Sequence, residues 1–296
     1  MPRILLVGAQ GQLGQDLLPL LATQGDLTIV GRNELDLTQS DAIRVLVGEA
    51  APDLIVNAAA YTAVDKAESE PDIAKAVNAE APTLFAKLAR DRGAALIHVS
   101  TDYVFDGQKG SPYLESDPTD PLGVYGRTKE LGEQGILTSG LERYAIVRTA
   151  WVYGALGKGN FVKTMLHLGK DREALNVIAD QIGSPTWTQD LAAAIANLGP
   201  KIAVASAESG LYHFTNSGVA SWYDLAVATF EEARALGFPL QIQTVEPIAT
   251  ADYPTPAQRP AYSVLAGQKL AAVLGGSAPH WRASLRQMLQ ALQATA

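Results

Sequence analysis

The strongest constraint on the fold is a glycine-rich turn, Gly8-Ala9-Gln10-Gly11-Gln12-Leu13-Gly14, set between the apolar run Ile4 to Val7 and a helical pattern. Glycines let such a turn bend tightly. They also bring backbone N–H groups close to a pyrophosphate at a helix N-terminus, where the helix dipole favours negative charge. Three glycines also serve a plain turn. The strand before and the helix after are what favour a dinucleotide site at Gly8, Gly11, Gln12, Leu13 and Gly14.

The same strand-then-helix rhythm continues along the chain. Apolar runs recur at Leu27 to Val30, Leu54 to Val56, Ala95 to Val99, Tyr144 to Val147 and Leu211 to Phe214. Runs apolar on both alternating positions belong to strands covered on both faces, as parallel sheets require. Helical patterns fill the gaps at Gln12 to Thr23, Ser40 to Glu49, Ile73 to Asp91 and Gly126 to Leu137. The expected class is α/β, a doubly wound, Rossmann-like parallel sheet with a smaller C-terminal substrate-binding region. Residues 1–154 are expected to form the dinucleotide-binding domain, with 183–216 returning to it. Residues 155–182 and 217–296 would then form the second domain. Near the end, Trp281, Leu285, Met288 and Leu292 recur at helical spacing, which reads as core packing over a docking face.

Composition removes several function classes. The chain has 47% hydrophobic and 18% charged residues, the usage of an ordinary folded protein. It has no cysteine, so disulfides, thiolate metal sites and cysteine nucleophiles are excluded. A net charge of −8 without a basic run argues against a nucleic-acid face. The apolar run after Met1-Pro2-Arg3 is too short for a signal peptide, and no stretch approaches the roughly 20 apolar residues of a membrane span. A cytoplasmic location is expected.

Two further features carry chemistry. Arg32 lies 18 residues past Gly14, near the place, roughly 20 residues on, where an acidic residue reads the ribose of NAD. An arginine there suits the 2′-phosphate of NADPH, and Asp36 is close enough to reach the adenosine ribose. NADPH is the expected cofactor, with NADH the alternative. In Tyr125-Gly126-Arg127-Thr128-Lys129 the tyrosine and lysine sit four apart at a helix start, so both project from one face. An adjacent ammonium is expected to lower the tyrosine pKa from about 10 and make it a general acid or base. Ser100-Thr101-Asp102-Tyr103 ends a strand at the edge where open α/β sheets bind ligands, and Thr101 is placed to hold a carbonyl oxygen beside Tyr125.

In this order, the glycine loop, the strand-end hydroxyl and the tyrosine–lysine pair resemble the extended short-chain dehydrogenase/reductase superfamily. Longer blocks narrow the likeness. Asn57 to Glu68, Ser100 to Gly107, Arg148 to Gly154, Asp180 to Thr186 and Tyr253 to Pro260 resemble the dTDP-4-dehydrorhamnose reductase family across almost the whole chain. The resemblance implies reduction of the C4 ketone of dTDP-6-deoxy-L-lyxo-4-hexulose to dTDP-L-rhamnose, a precursor of cell-surface polysaccharide. It implies that Asp36 and Leu37 meet the adenosine end of the cofactor, and that Ala60, Tyr61, Thr62 and Val99 line its groove. Tyr125 would protonate the C4 oxygen while Lys129 holds the nicotinamide ribose. Thr101, Asp102 and Trp151 would contact the sugar nucleotide, Trp151 through its ring face, and Arg259 would hold a phosphate.

Some relatives carry magnesium at a dimer contact. Asp16 matches one ligand position, but Gln189 occupies another and the four histidines are scattered, so no metal is expected. Whether the chain forms a homodimer stays open. Dehydratases of the same framework carry Asp-Glu after the threonine, whereas Asp102 is followed here by Tyr103. Epimerase–reductases typically use a cysteine. Two alternatives remain: a 4-ketoreductase for another dTDP-deoxysugar, and a non-catalytic dinucleotide-binding subunit like the β-subunit of methionine adenosyltransferase.

Overall fold

A computed structural model describes residues 1–294. The apolar runs form β1 (Arg3–Val7), β2 (Asp26–Val30), β3 (Leu54–Asn57), β4 (Ala95–Thr101) and β5 (Tyr144–Thr149), each within one or two residues of the expected bounds. With the strand Gly210–His213 they make one six-stranded parallel sheet. From one edge the order is β2, β1, β3, β4, β5 and Gly210–His213.

Alternation explains why the inner runs are apolar at successive positions; β2, at the sheet edge, departs from the expected two-sided burial, with Asp26, Thr28 and Ile29 exposed. Ile4, Leu6, Val56, Ile97 and Val147 point to the face covered by the helices Gln12–Ala22 and Thr188–Ala203. Leu5, Val7, Ile55, Leu96 and Ile146 point to the other face, covered by Ser40–Ala50 and Ala81–Arg92. A third cluster lies apart from the sheet and joins Tyr153, Val162, Trp187 and Leu225 to Trp281, Leu285 and Met288. The last three residues lie on the helix Trp281–Ala294 and are buried, as core packing predicts.

One expected helix takes a different form. The pattern at Ile73 to Asp91 predicts a continuous helix, but the path runs as Pro71–Lys75, a π turn at Ala76–Glu80, and Ala81–Arg92. Pro82 follows the wide turn. It has no N–H to give the carbonyl of Asn78, so one regular helical bond is missing at that place. The freed carbonyl lies close against Gly132, where a Cβ would come within 2.1 Å of it.

The chain lays β2 on one side of β1 and returns to lay β3 on the other. This reversal opens a crevice at the carboxyl ends of β1 and β3, where open α/β sheets take ligands. Among the described residues, no helix is long and apolar enough to cross a membrane.

Candidate active site

A cavity of about 620 Å³ occupies the crevice, within the usual range of ligand pockets. Gly8, Gly11, Gln12, Leu13, Arg32, Asp36, Leu37, Ala60, Tyr61, Thr62, Val99, Thr101, Asp102, Tyr125, Lys129 and Trp151 all line it. Gly14 and Arg259 do not. Gly14 acts one layer back: a Cβ there would lie 2.1 Å from the Gly8 carbonyl oxygen, so its absence lets the helix sit on the loop.

The glycine loop fits an anionic diester. Gly8 has φ +89°, and a Cβ there would come within 2.7 Å of the Ala59 nitrogen, so the loops after β1 and β3 touch through it. The helix Gln12–Ala22 starts at Gly11 with no side-chain cap and no acidic residue in its first turn. Its leading N–H groups are therefore not spent on a side chain, and the dipole field is not cancelled locally.

At the adenosine end, Arg32 is exposed. The Asp36 carboxylate accepts from Thr38 N at 3.0 Å and Thr38 Oγ1 at 2.8 Å, and these bonds, with the nearby Arg32, hold its pKa below the usual range. The Tyr61 hydroxyl donates to Glu70 at 2.7 Å, and its backbone is clamped by Asn78, whose Oδ1 accepts from Tyr61 N at 2.8 Å. Asn78 also donates to Tyr61 O at 3.1 Å and to Thr128 Oγ1 at 3.2 Å, tying this loop to the helix Val124–Leu137. Lys158, exposed on the loop before the helix Phe161–Asp171, adds a cation to the lining that the motifs do not mark.

The reactive corner is buried. Tyr125 and Lys129 lie on Val124–Leu137 as the spacing predicts, and Thr101 caps the short turn Asp102–Val104 by accepting from Tyr103 N at 3.2 Å. Burial pushes the Tyr125 phenol up to about 12; the Thr101 hydroxyl pulls it down and the Asp102 charge pushes it up. The expected acidification by Lys129 is therefore corrected. Lys129 Nζ bonds Val99 O at 2.6 Å and His98 Nε2 at 3.2 Å, because a buried amine must find partners and β4 supplies them. Burial in turn lowers the Lys129 pKa to about 8.

Asp102 is buried, and desolvation raises its carboxyl to about 6. Its Oδ1 accepts from Thr101 Oγ1 at 3.1 Å, while Oδ2 has no hydrogen-bond partner. Behind this corner Glu133 receives Arg148 Nε at 2.9 Å, Arg148 Nη2 at 2.6 Å and Ser100 Oγ at 2.5 Å. That buried ion pair anchors Val124–Leu137 to β4 and β5, and the motifs gave no sign of it.

Two other expectations need correction. Trp151 reaches the cavity with φ +49°, but not by a ring face. One face lies on Trp222, with centroids 3.6 Å and planes 5° apart. A Cβ on Gly183 would meet Cε2 first, at 2.6 Å. Cε2 is a ring-fusion atom that only an approach from above reaches first, so Gly183 covers the other face and an edge is left. Arg259 donates to both Asp65 oxygens, at 3.1 and 2.8 Å, and to Thr255 Oγ1 and Ala257 O, so it closes the Tyr253–Pro260 loop instead of lining the cavity.

Known proteins share this arrangement. The family model described as the RmlD substrate binding domain matches residues 2–294. A dTDP-4-dehydrorhamnose reductase of Streptomyces griseus is 46% identical, covering 98% of this chain and 94% of its own. A probable dTDP-4,6-dihydroxy-2-methyloxan-3-one 4-ketoreductase of Streptomyces antibioticus is 43% identical, covering 96% and 94%. The crystal structure of dTDP-4-dehydrorhamnose reductase from Bacillus anthracis in complex with NADP superimposes with TM-score 0.90 at 36% identity, covering 98% and 99%. With the glycine loop and the Thr101–Tyr125–Lys129 corner on one crevice and the family model matching almost the whole chain, the chain belongs to the dTDP-4-dehydrorhamnose reductase family.

Proposed function

We propose that this protein reduces the C4 ketone of dTDP-4-dehydro-6-deoxy-L-mannose to dTDP-L-rhamnose with NADPH. The observation that carries the proposal is the convergence of Thr101, Tyr125 and Lys129 on the crevice that also holds the glycine loop. The NADP-bound relative supports the choice of cofactor.

Bound NADPH supplies the hydride. The chain's own residues hold and protonate. The N–H groups after Gly11 take the pyrophosphate, Arg32 the 2′-phosphate, Asp36 and Leu37 the adenosine side, and Lys129 the nicotinamide ribose. Thr101 and Tyr125 hold the ketone oxygen, and Asp102 contacts the sugar nucleotide. A phenol with a pKa near 12 stays protonated at neutral pH. It still serves as the acid, because the alkoxide that forms on the substrate is a stronger base than phenolate.

We assign residues 1–154 and 183–216 to dinucleotide binding and 155–182 and 217–294 to the sugar nucleotide; positions 295 and 296 of the expected second domain lie outside the described residues. A cytoplasmic homodimer completes the proposal, to be checked by cell fractionation and light scattering. The S. antibioticus relative supports a second reading, a 4-ketoreductase for a different dTDP-deoxysugar.

The test is NADPH oxidation with the 4-keto sugar nucleotide, by the wild type and by Tyr125→Phe, with product stereochemistry read by NMR. Loss of one general acid is expected to cost about 10²–10⁴ in kcat. A C4 epimer other than L-rhamnose would reassign the substrate, and no turnover in either protein would leave a binding subunit.

A further inference from the structure

Three basic side chains line the cavity among the described residues: Arg32, Lys129 and Lys158. Arg32 stands at the adenosine end, near Asp36, and Lys129 lies in the reactive corner, bonded to Val99 O and His98 Nε2. Neither belongs to the glycine loop, which has no basic residue between Gly8 and Gly14. Lys158 is exposed, and no described residue takes its ammonium in a hydrogen bond or an ion pair.

Packing against the glycine loop fixes its place. Lys158 follows Gly157, which has φ +81° and on which a Cβ would lie 2.9 Å from Gln12 Cβ and 3.2 Å from Gln12 N, so only glycine fits there. Gln12 is the first residue of the helix that starts after Gly11. Its side chain fastens the same junction: Nε2 donates to Val152 O at 3.2 Å, and Oε1 accepts from Asn160 Nδ2 at 3.3 Å. Asn160 Nδ2 also donates to Gly154 O at 2.8 Å, and Lys163 Nζ donates to Gly157 O at 3.0 Å. The segment 154–160 is thus moored on both sides of Lys158, whose Cα lies about 3.8 Å from that of Gly157. A Cβ on Gly159 would meet nothing, so no packing holds the tip itself.

An ammonium at this place answers a deficit of positive charge. Each phosphoryl group of a pyrophosphate diester is an anion at neutral pH, whereas a helix N-terminus is worth only about half a positive charge. The chain carries a net charge of −8, so its overall field does not help to hold an anion and a local cation must. We propose that Lys158 is a cofactor-binding residue: its ammonium joins the N–H groups after Gly11 in holding the pyrophosphate, so that the second domain clasps a ligand seated on the first. A compact charge on a flexible stem suits that task. The diphosphate of the sugar nucleotide is the other anion of the crevice, but the segment that carries Lys158 is built onto Gln12 and not onto the Thr101–Tyr125 corner.

The clasp rests on the dinucleotide reading of the crevice and not on turnover. The test is therefore titration calorimetry of the full chain with NADP⁺, NAD⁺ and dTDP as probes, each alone. Lys158→Met should weaken NADP⁺ and NAD⁺ alike, roughly five- to tenfold at low salt, the scale of one solvent-facing charge-assisted bond. The difference from wild type should narrow as KCl is raised. Lys158→Arg should recover most of the affinity. The dTDP affinity and the thermal midpoint without ligand should stay at the wild-type values, because nothing in the fold rests on this ammonium. A loss confined to NADP⁺ would place Lys158 on the 2′-phosphate, and a loss confined to dTDP would place it on the sugar nucleotide. Wild-type affinity for all three probes would leave it a surface lysine. Each of these results overturns the proposal while the reductase reading stands. A wild type that takes neither dinucleotide would sink both. The expected losses in a protein without reductase activity would uphold the clasp and sink the proposed function alone.

Discussion

Glu133→Ala isolates the energetics that hold the reactive helix in place. The substitution strands Arg148, whose side chain is 3% exposed, and removes the acceptor for its Nε and Nη2 and for Ser100 Oγ. Arg148 Nη1 already lacks a hydrogen-bond partner, so only the Phe105 ring, 5.0 Å from the guanidinium carbon, remains as a favourable neighbour. Breaking a buried pair from one side typically costs about 3–5 kcal/mol, mostly through the uncompensated charge. For a chain of this length the unfolding entropy is roughly 0.6 kcal/mol per kelvin, so the midpoint should fall by roughly 5–8 °C. Scanning calorimetry and urea titration at one protein concentration would read both quantities. The double variant Glu133→Met with Arg148→Met should recover much of the loss, since apolar replacement of the whole pair is often neutral or stabilising. A single-variant loss below about 1 kcal/mol, or a double variant worse than the single one, would refute the reasoning.

Other consequences are equally open to measurement. Arg32→Asp should move the kcat/KM preference from NADPH toward NADH, and an unchanged ratio would show that Arg32 does not read the 2′-phosphate. Asp102→Asn should stabilise the fold at pH 8, because a carboxyl raised from 3.8 to about 6 favours folding below the lower value and loses that benefit as pH rises through 6. The gain should be up to about 3 kcal/mol, and denaturant midpoints that do not diverge from wild type above pH 6 would count against it. Trp222→Ala should raise KM for the sugar nucleotide while leaving KM for NADPH unchanged, with Trp222→Phe partly restoring it; equal effects on both would show that the stack under Trp151 serves only stability.

Much of the architecture could be read from local signals, because β1, β3, β4 and β5 are buried on both faces and so carry unbroken apolar runs, whereas the edge strand β2 is largely exposed. The helix starts at Gln12 and Ser40 follow from the same rhythm. The tyrosine–lysine pair came through because helical spacing alone puts the two residues on one face. Features that depend on how distant segments align could not be read. Asn57 and His98 are 41 positions apart and meet only through the register of β3 and β4. Glu133, Arg148 and Ser100 come from three elements, and nothing local marks them as a group. Trp151 was expected to present a face; its neighbours Trp222 and Gly183 arrive from far along the chain. The Lys129 ammonium was expected to act on Tyr125, but spacing cannot show which acceptors compete for a side chain.

The wide turn at Ala76–Glu80 has an engineering consequence. Removing one residue from it would restore regular winding, shorten that stretch by about 1.5 Å and swing Asn78 by about 100°. The carboxamide would then miss both Tyr61 and Thr128, leaving the wall beside the coenzyme unhitched from the reactive helix although neither had changed its own residues. A one-codon deletion that removes no reacting residue should therefore damage coenzyme affinity first and thermal resistance only second.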